Sequence, residues 1–390
     1  MLFISYSHLD AARIDALQAQ LKQRGIFVWR DLNDLLVGTR TETEIARALG
    51  SDAHGILLWL TENALASPFV MHRELLWARQ RYERDARFEI IPIFVDGNVR
   101  AVNERVRELT GWEIAQFNGV ARAPEESDAA FLRRIAQRAL QTVLRRIGES
   151  KPAEIKIGVQ SKKVELPRDE TRQLLLDFNP LFVDEFTAQP NAWLEMHDAL
   201  LDLRNALAAE IGLPRLYFDP SAHLTLGYLI GNMFDKQTRF PLSVNQQGVR
   251  WDADVPAGEP FGLQVEPEIV LLVAREITLE VSLTLDLNMQ ANQLVMQLPR
   301  PTQRRIRVRP RAKPLGSFLN ATEAADIAQQ LRELLIAQRA QTNYERAHLL
   351  TAIPWGLACW LGRLANAIGP LQLYEWNNHT HVYTPSIEIA

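Results

Sequence analysis

Cysteine is almost absent from this chain: Cys359 is the only one in 390 residues, and it lies inside an apolar run. That excludes a disulfide framework, fits a reducing compartment, and reads Cys359 as a small buried hydrophobe rather than a nucleophile. No apolar run is long enough and free enough of charge to span a bilayer. The first residues lack the basic-then-apolar form of a secretory signal, so a cytoplasmic protein is expected. Charge of one sign is also missing. Lys and Arg number 43 and Asp and Glu 47, a net of -4, which gives no global reason to expect DNA or an anionic membrane as partner. The sequence has no GxGxxG, no P-loop, no GxSxG and no metal-ligand spacing, so hydride transfer, Walker-type chemistry and a metal centre are not indicated. What remains is ordinary globular composition, 47% apolar and 23% charged, with length for two or three domains.

From the start to about residue 148, short apolar runs alternate with helical periodicity. Leu2–Tyr6, Ile26–Trp29, Gly55–Leu60 and Glu89–Val95 read as strands. Ile14, Leu17 and Leu21 recur at helical spacing, as do Ile45 and Leu49. Near-continuous apolar strands between helices predict a parallel sheet covered on both faces. Ligands of such sheets sit beyond the carboxyl ends of the strands. Ser5-Tyr6-Ser7, the stretch from Asp31 to Gly38, and residues 61–74 all fall at those ends. An amphipathic helix, Asp128–Ile147, closes the region.

The ordered set Phe3-Ile4-Ser5-Tyr6-Ser7-His8-Leu9-Asp10, Gly25–Asp31, and Ser67-Pro68-Phe69-Val70-Met71-His72-Arg73-Glu74 resembles a TIR domain. Within that family it is similar to the branch that cleaves NAD. The resemblance implies a flavodoxin-like parallel sheet with flanking helices, and Glu74 as the catalytic residue. By itself, a Glu in the first turns of a helix only complements the dipole. The resemblance further implies NAD as substrate rather than cofactor, with Ser5, Tyr6, Ser7, Trp29, Asp31 and Arg40 as its contacts. In the family the loop holding Asp31 and Arg40 also meets a neighbouring TIR domain; otherwise it is a solvated strand-helix connection. One position departs from the pattern. Family members usually carry Trp four residues before the Glu, and here that residue is Val70 with Phe69 beside it; either the aromatic has shifted by one, or the residue facing nicotinamide comes from elsewhere, with Tyr6 and Trp29 the candidates. The chemistry asks for little. Nicotinamide leaves as a neutral ring from a cation, and a carboxylate stabilises the oxocarbenium-like ribose left behind.

Residues 149–154 are a short polar break, and the rhythm restarts at 155. Ala222-His223-Leu224 and Ala347-His348-Leu349 match, each with a glycine eight residues after the His, Gly231 and Gly356. Each triplet follows a long helical pattern, which suggests an internal duplication with halves of about 155–315 and 316–390. The ordered residues His348-Leu349-Leu350, Ile353-Pro354-Trp355-Gly356, Leu361-Gly362, Leu371–Trp376 and Tyr383-Thr384-Pro385 resemble the end of a SAVED domain. That family is similar to two fused CARF-like Rossmann-type halves and binds cyclic oligonucleotides in antiphage defence. A helix start after Pro354 suits an anion, and Trp355, Tyr374 and Trp376 offer planar faces, although such aromatics are usually core. Arg275, just past the buried-strand run 271–274, reads as a phosphate contact or an ion pair. His348 completes the expected ligand set, although both His223 and His348 also read as strand-end hydrogen-bonding residues. Arg305, Arg307, Arg309 and Arg311 alternate, as on one face of a solvated edge strand or a phosphate-facing one.

Taken whole, the chain resembles a TIR-SAVED effector of CBASS-type defence. The resemblance implies a cyclic oligoadenylate activator, made by a partner CD-NTase-type nucleotidyltransferase, and head-to-tail self-association through both domains. Other readings are a TIR scaffold without catalysis and a SAVED domain that degrades its own ligand.

Overall fold

The computed structural model describes residues 1–30, 41–96, 98–167, 169–255, 261–270, 275–298, 302–311 and 313–389, with backbone only at 41, 288, 289 and 296. The chain forms two compact units, Met1–Lys151 with Leu174–Leu176, and Pro152–Gln173 with Asp177–Ala390. Among the described residues, no helix is long and apolar enough to cross a membrane.

The first unit is built on five strands: β1 (Leu2–Ser5), β2 (Val28–Trp29), β3 (Gly55–Leu60), β4 (Glu89–Phe94) and β5 (Val120–Ala121). They run in the order β2-β1-β3-β4-β5, and every pair is parallel. Its helices are α1 (Ala11–Gln23), α2 (Thr41–Arg47), α3 (Glu62–Leu65), α4 (Leu75–Arg84), α5 (Val99–Thr110) and α6 (Asp128–Glu149). Strand β3, Gly-Ile-Leu-Leu-Trp-Leu, is buried at all six positions, as a central parallel strand between two helical layers must be. The expected helix at Asp128–Ile147 is α6, capped by Ser127 and packed on α1.

Two further sheets follow, all of whose residues lie in the second unit except Leu174–Leu176. The first consists of β6 (Glu154–Gln160), β7 (Leu174–Asp177), β8 (Arg215–Ser221), β9 (Leu242–Gln246) and β10 (Val249–Asp252), in the order β10-β9-β8-β6-β7. The second consists of β11 (Leu263–Ile269), β12 (Glu276–Ser282), β13 (Arg304–Pro310), β14 (Arg346–Ala352), β15 (Leu371–Asn377) and β16 (Val382–Ile389), in the order β11-β13-β12-β14-β15-β16. Apart from the added edge strand β11, the two orders are the same. Helices α7 (Ala192–Glu210) and α8 (Leu224–Met233) belong to the first half. The second half carries α9 (Asn288–Gln297), α10 (Ala321–Thr342) and α11 (Trp355–Arg363).

The duplication is real, but its register differs from the one the sequence suggests. Arg215 opens β8 and Arg346 opens β14, an offset of 131 residues. Leu224 and Trp355 open α8 and α11 at the same offset. The matched His triplets are six residues out of that register. His223 stands outside its strand as the cap of α8, whereas His348 lies within β14. The halves also divide earlier than expected. The second sheet begins at Leu263 rather than after residue 315, because β11, β12 and β13 belong to it.

Helices α8 and α11 are buried almost all round and pack on each other. Glycine sets how closely. A Cβ on Gly231 would lie 1.9 Å from the Cys359 carbonyl oxygen, and one on Gly362 would lie 2.1 Å from that of Tyr228. These two glycines are also 131 residues apart, so each helix presents a bare backbone to the other at the equivalent turn. We expect Gly231→Ala and Gly362→Ala each to destabilise the protein by about 3 kcal/mol, since backbone must move to admit the methyl. Gly50→Ala, where a Cβ meets nothing within 4 Å, should be neutral or mildly stabilising. Urea unfolding midpoints of the three variants check this.

Candidate functional site

In the first unit, the carboxyl ends of the strands gather the residues that the sequence singled out. Ser5 ends β1, and Glu74 ends a single π-turn, Val70–Glu74, that leads into α4. Wide turns of this kind occur where a helix must re-aim a side chain. Ser67 starts the segment, its hydroxyl accepting the Val70 amide at 3.4 Å. The outcome is a contact over 69 residues of chain: the Ser5 hydroxyl donates to Glu74 Oε2 at 2.5 Å. Glu74 is only 4% exposed. Thus a carboxyl group is held at the sheet end by a neutral donor, with its direction fixed.

The neighbouring residues have structural work. The Tyr6 hydroxyl accepts from Arg30 Nε at 2.8 Å, and the guanidinium lies 4.9 Å over the Tyr6 ring. Ser7 is buried at the entry to the turn His8–Asp10. Asp10 accepts from Thr61 at 2.6 Å and Asn63 at 3.1 Å, tying the loop after β1 to the start of α3. Trp29 is buried in the core and stacked on Phe3 at 4.9 Å. Its ring is a core element, which corrects its expected place facing the substrate. Val70 is buried too, and Phe69 meets Trp77 edge-on at 6.2 Å. Asp31 and Arg40 lie outside the described residues. A separate depression of about 450 Å³ lies over the ends of β3 and β4, between Thr61, Glu62, Asp96 and Arg105; neither Ser5 nor Glu74 lines it.

The second unit has a cavity of about 960 Å³ where the starts of α8 and α11 meet. Lys162 and Thr284, Ala222 and Ile353, Leu224 and Trp355 line it as matched pairs from the two halves. Two elements line it from one half only: the β9–β10 hairpin, Gln246 to Trp251, and the loop before α10, Gly316 to Asn320. The helix starts are capped crosswise. Thr225 N donates to Glu375 at 2.5 Å, and Gly356 N donates to the Gln246 amide oxygen at 2.9 Å. Each half therefore holds the other half's helix start with a residue from its own sheet.

Of the five ligand contacts expected here, the cavity takes one, Trp355, whose Nε1 donates to the His223 carbonyl at 3.1 Å. Arg275 precedes β12, so it stands at the amino end of a parallel strand. It is paired with Glu345 at 2.7 Å, with its side chain 75% exposed, which is the ion-pair reading. His348 and Tyr374 are buried within the sheet. His348 Nε2 donates to Glu276 at 2.8 Å, and Nδ1 accepts from the Tyr374 hydroxyl at 2.8 Å. Trp376 packs with Tyr383 beside a small apolar cluster. The arginine run is also reassigned. β13 is an internal strand between β11 and β12, and Arg305 is buried in an ion pair with Glu280. Arg307 and Arg309 meet Glu268 at 3.1 Å and Asp286 at 3.2 Å. Arg305, Arg307 and Arg309 are thus paired with carboxylates of neighbouring segments rather than offered to phosphate, and Arg311 lies past the end of β13. Sequence reasoning missed Lys162, Trp251 and Phe318. The signal for Phe318 was there in Gly316-x-Phe318 just ahead of the capping box Asn320-x-x-Glu323.

His223 mirrors His348 in its isolation from solvent. Its Nε2 donates to the Glu185 carbonyl at 2.8 Å, and Nδ1 accepts from Ser161 at 2.7 Å. Burial holds both imidazoles below their ordinary value, so both are neutral when folded. The unfolded chain takes up these protons near pH 6.5 and the folded chain does so only lower. Their contribution is thus complete above pH 6.5 and is lost as pH falls below it. The unfolding free energy, from urea titrations, should drop between pH 7 and pH 5 by up to about 1.4 kcal/mol per pH unit per histidine, with a shallower slope in His348→Gln.

Comparison with known proteins agrees with this division. Residues 2–135 match the family model described as TIR domain. Residues 198–389 match that described as SAVED, "SMODS-associated and fused to various effectors sensor domain". No curated protein matches the chain. Among solved structures, the Acinetobacter baumannii Cap4 SAVED/CARF-domain containing receptor with the cyclic trinucleotide 2'3'3'-cAAA is 14% identical. The match covers 98% of each chain at a TM-score of 0.52. The same receptor with 3'3'3'-cAAA is 14% identical, covering 90% of this chain and 86% of that one at a TM-score of 0.51. At such identity the likeness is one of fold. The two family matches and the likeness in fold converge on one description: this chain carries an N-terminal TIR domain followed by a C-terminal SAVED sensor domain.

Proposed function

We propose that this protein is a ligand-activated NAD glycohydrolase of antiphage defence. A cyclic oligoadenylate, with cyclic tri-adenylate the first choice, binds the SAVED domain and drives head-to-tail association of protomers. The TIR domains of the assembly then hydrolyse NAD to nicotinamide and ADP-ribose. The observation that carries the catalytic half is the buried Glu74 carboxyl held by Ser5 at the carboxyl edge of a parallel sheet. As the bond between ribose C1' and the pyridinium nitrogen breaks, its electron pair leaves with nicotinamide. Glu74 stabilises the positive charge that develops on the ribose, and a water adds at C1' with release of one proton. The Ser5 hydroxyl positions the carboxylate and takes no part in the bond changes. The support for the sensing half is the cavity between matched helix starts, together with the cyclic trinucleotides named with the Cap4 receptor. The activator would come from a partner nucleotidyltransferase in the same cytoplasmic compartment.

Nicotinamide release from NAD, followed with and without cyclic tri-adenylate, tests the whole reading. Release should depend on the ligand and rise more steeply than linearly with protein concentration; no release under either condition overturns the enzyme assignment. Glu74→Gln should lower turnover at least 100-fold while cyclic tri-adenylate still binds. Ser5→Ala should lower kcat roughly 5- to 10-fold with KM little changed, as expected of a positioning residue that contributes about one hydrogen bond. Turnover of Glu74→Gln within a few-fold of wild type would favour a TIR scaffold instead.

A further inference from the structure

The cavity in the second unit is built around a pseudo-twofold axis, yet its two sides differ. On each side a hairpin from one half faces the loop before the long helix of the other. On one side the β15–β16 hairpin faces the loop before α7, and that side is shut. Phe186 meets His379 of the hairpin edge-on at 5.0 Å. Asp184 accepts the amides of Phe186 and Thr187 at 2.7 and 2.8 Å, and the Glu185 carbonyl is held by His223. On the other side the β9–β10 hairpin faces the loop before α10, and that side is open and forms the wall of the cavity. There the aromatic residue of the loop, Phe318, is 88% exposed.

The open loop is fixed at both ends and bare in the middle. Gly316 N donates to the Leu283 carbonyl at 2.9 Å, and the Gly316 φ of +80° makes the sharp turn away from the sheet. Asn320 is locked into the capping box of α10. Phe318 stands between these anchors at the rim, with Lys162, Trp251 and Trp355 among the cavity walls. A phenyl ring left in water at such a place carries apolar exposure that Phe186, in the loop before α7, reduces by its edge contact with the opposite hairpin.

We propose that Phe318 is the closing residue of the nucleotide site, folding toward the β9–β10 hairpin and stacking on a base, so that the ligand fills on this side the role that direct contact fills on the other. The inference rests on the nucleotide-sensing reading of the cavity. It assigns base recognition to a residue of the second half's loop and makes the shut side a permanent structural wall. A purine presents the larger face to the ring, so adenine is held better than a pyrimidine.

The test uses the full chain and cyclic tri-adenylate, with affinity by calorimetry and amide exchange over residues 313–320. Wild type should bind, and its loop amides should exchange more slowly with ligand present. Phe318→Ala should raise Kd roughly 5- to 150-fold, the range that loss of one base–aromatic stack gives. It should also leave the loop unprotected by ligand. Phe318→Trp should retain both properties. Phe318 is exposed, so the variants keep the fold. Wild-type binding with Phe318→Ala within twofold and equal loop protection overturns the closing role alone. Failure of wild type to bind any cyclic adenylate overturns the sensing reading, and the closing role falls with it.

Discussion

The approach of α8 to α11 is the constraint on which the second unit depends. Two helices can come this near only where neither has a side chain, and Gly231 and Gly362 supply that gap at equivalent turns. The remaining contacts follow from it. With the helices in backbone contact, their starts lie side by side, and each is near enough to the other half's sheet to be capped from it. The cavity is the space left between those starts. Its walls come from both halves because the crossing brings both there.

The TIR unit solves a similar problem without a duplication. Its parallel strands end at one edge, and the loops beyond them are fixed by hydrogen bonds between segments far apart in sequence. Ser5 holds Glu74, and Thr61 and Asn63 hold Asp10. A carboxyl group fixed in this way has its direction set by the fold, so any group brought to it would meet a preorganised acceptor.

How far the sequence could be read depended on the range of the interactions involved. Four of the first unit's five strands and the closing helix were legible because burial leaves a continuous apolar pattern, whereas β5, two residues long, is too short to show one. The placing of Ser5 and Glu74 beyond the sheet's carboxyl edge was legible because both sit in short motifs at strand and helix ends. Trp29 was misplaced, because an aromatic at the end of a strand looks the same whether it faces a ligand or, as here, stacks on Phe3. Arg275 was misplaced for a related reason: a charge beside an apolar run does not say which end of the strand it occupies. The duplication was visible and its register was not. Matching triplets of common residues carry little information, while the true signal, a glycine in each of two apolar helices, matters only once the helices are seen to cross. The arginine run was read as solvated because its partners, Glu280, Glu268 and Asp286, come from other segments.

The crosswise caps carry one more consequence. The start of α8 is held by a carboxylate, Glu375, and the start of α11 by an uncharged amide, Gln246. Both helices turn the positive end of their dipole toward the cavity, but only one of the two is already offset by a negative charge from the protein itself. The repeated backbone thus encloses a space whose two helix ends are not electrically equivalent. A ring of equivalent units entering that space would lose its rotational equivalence.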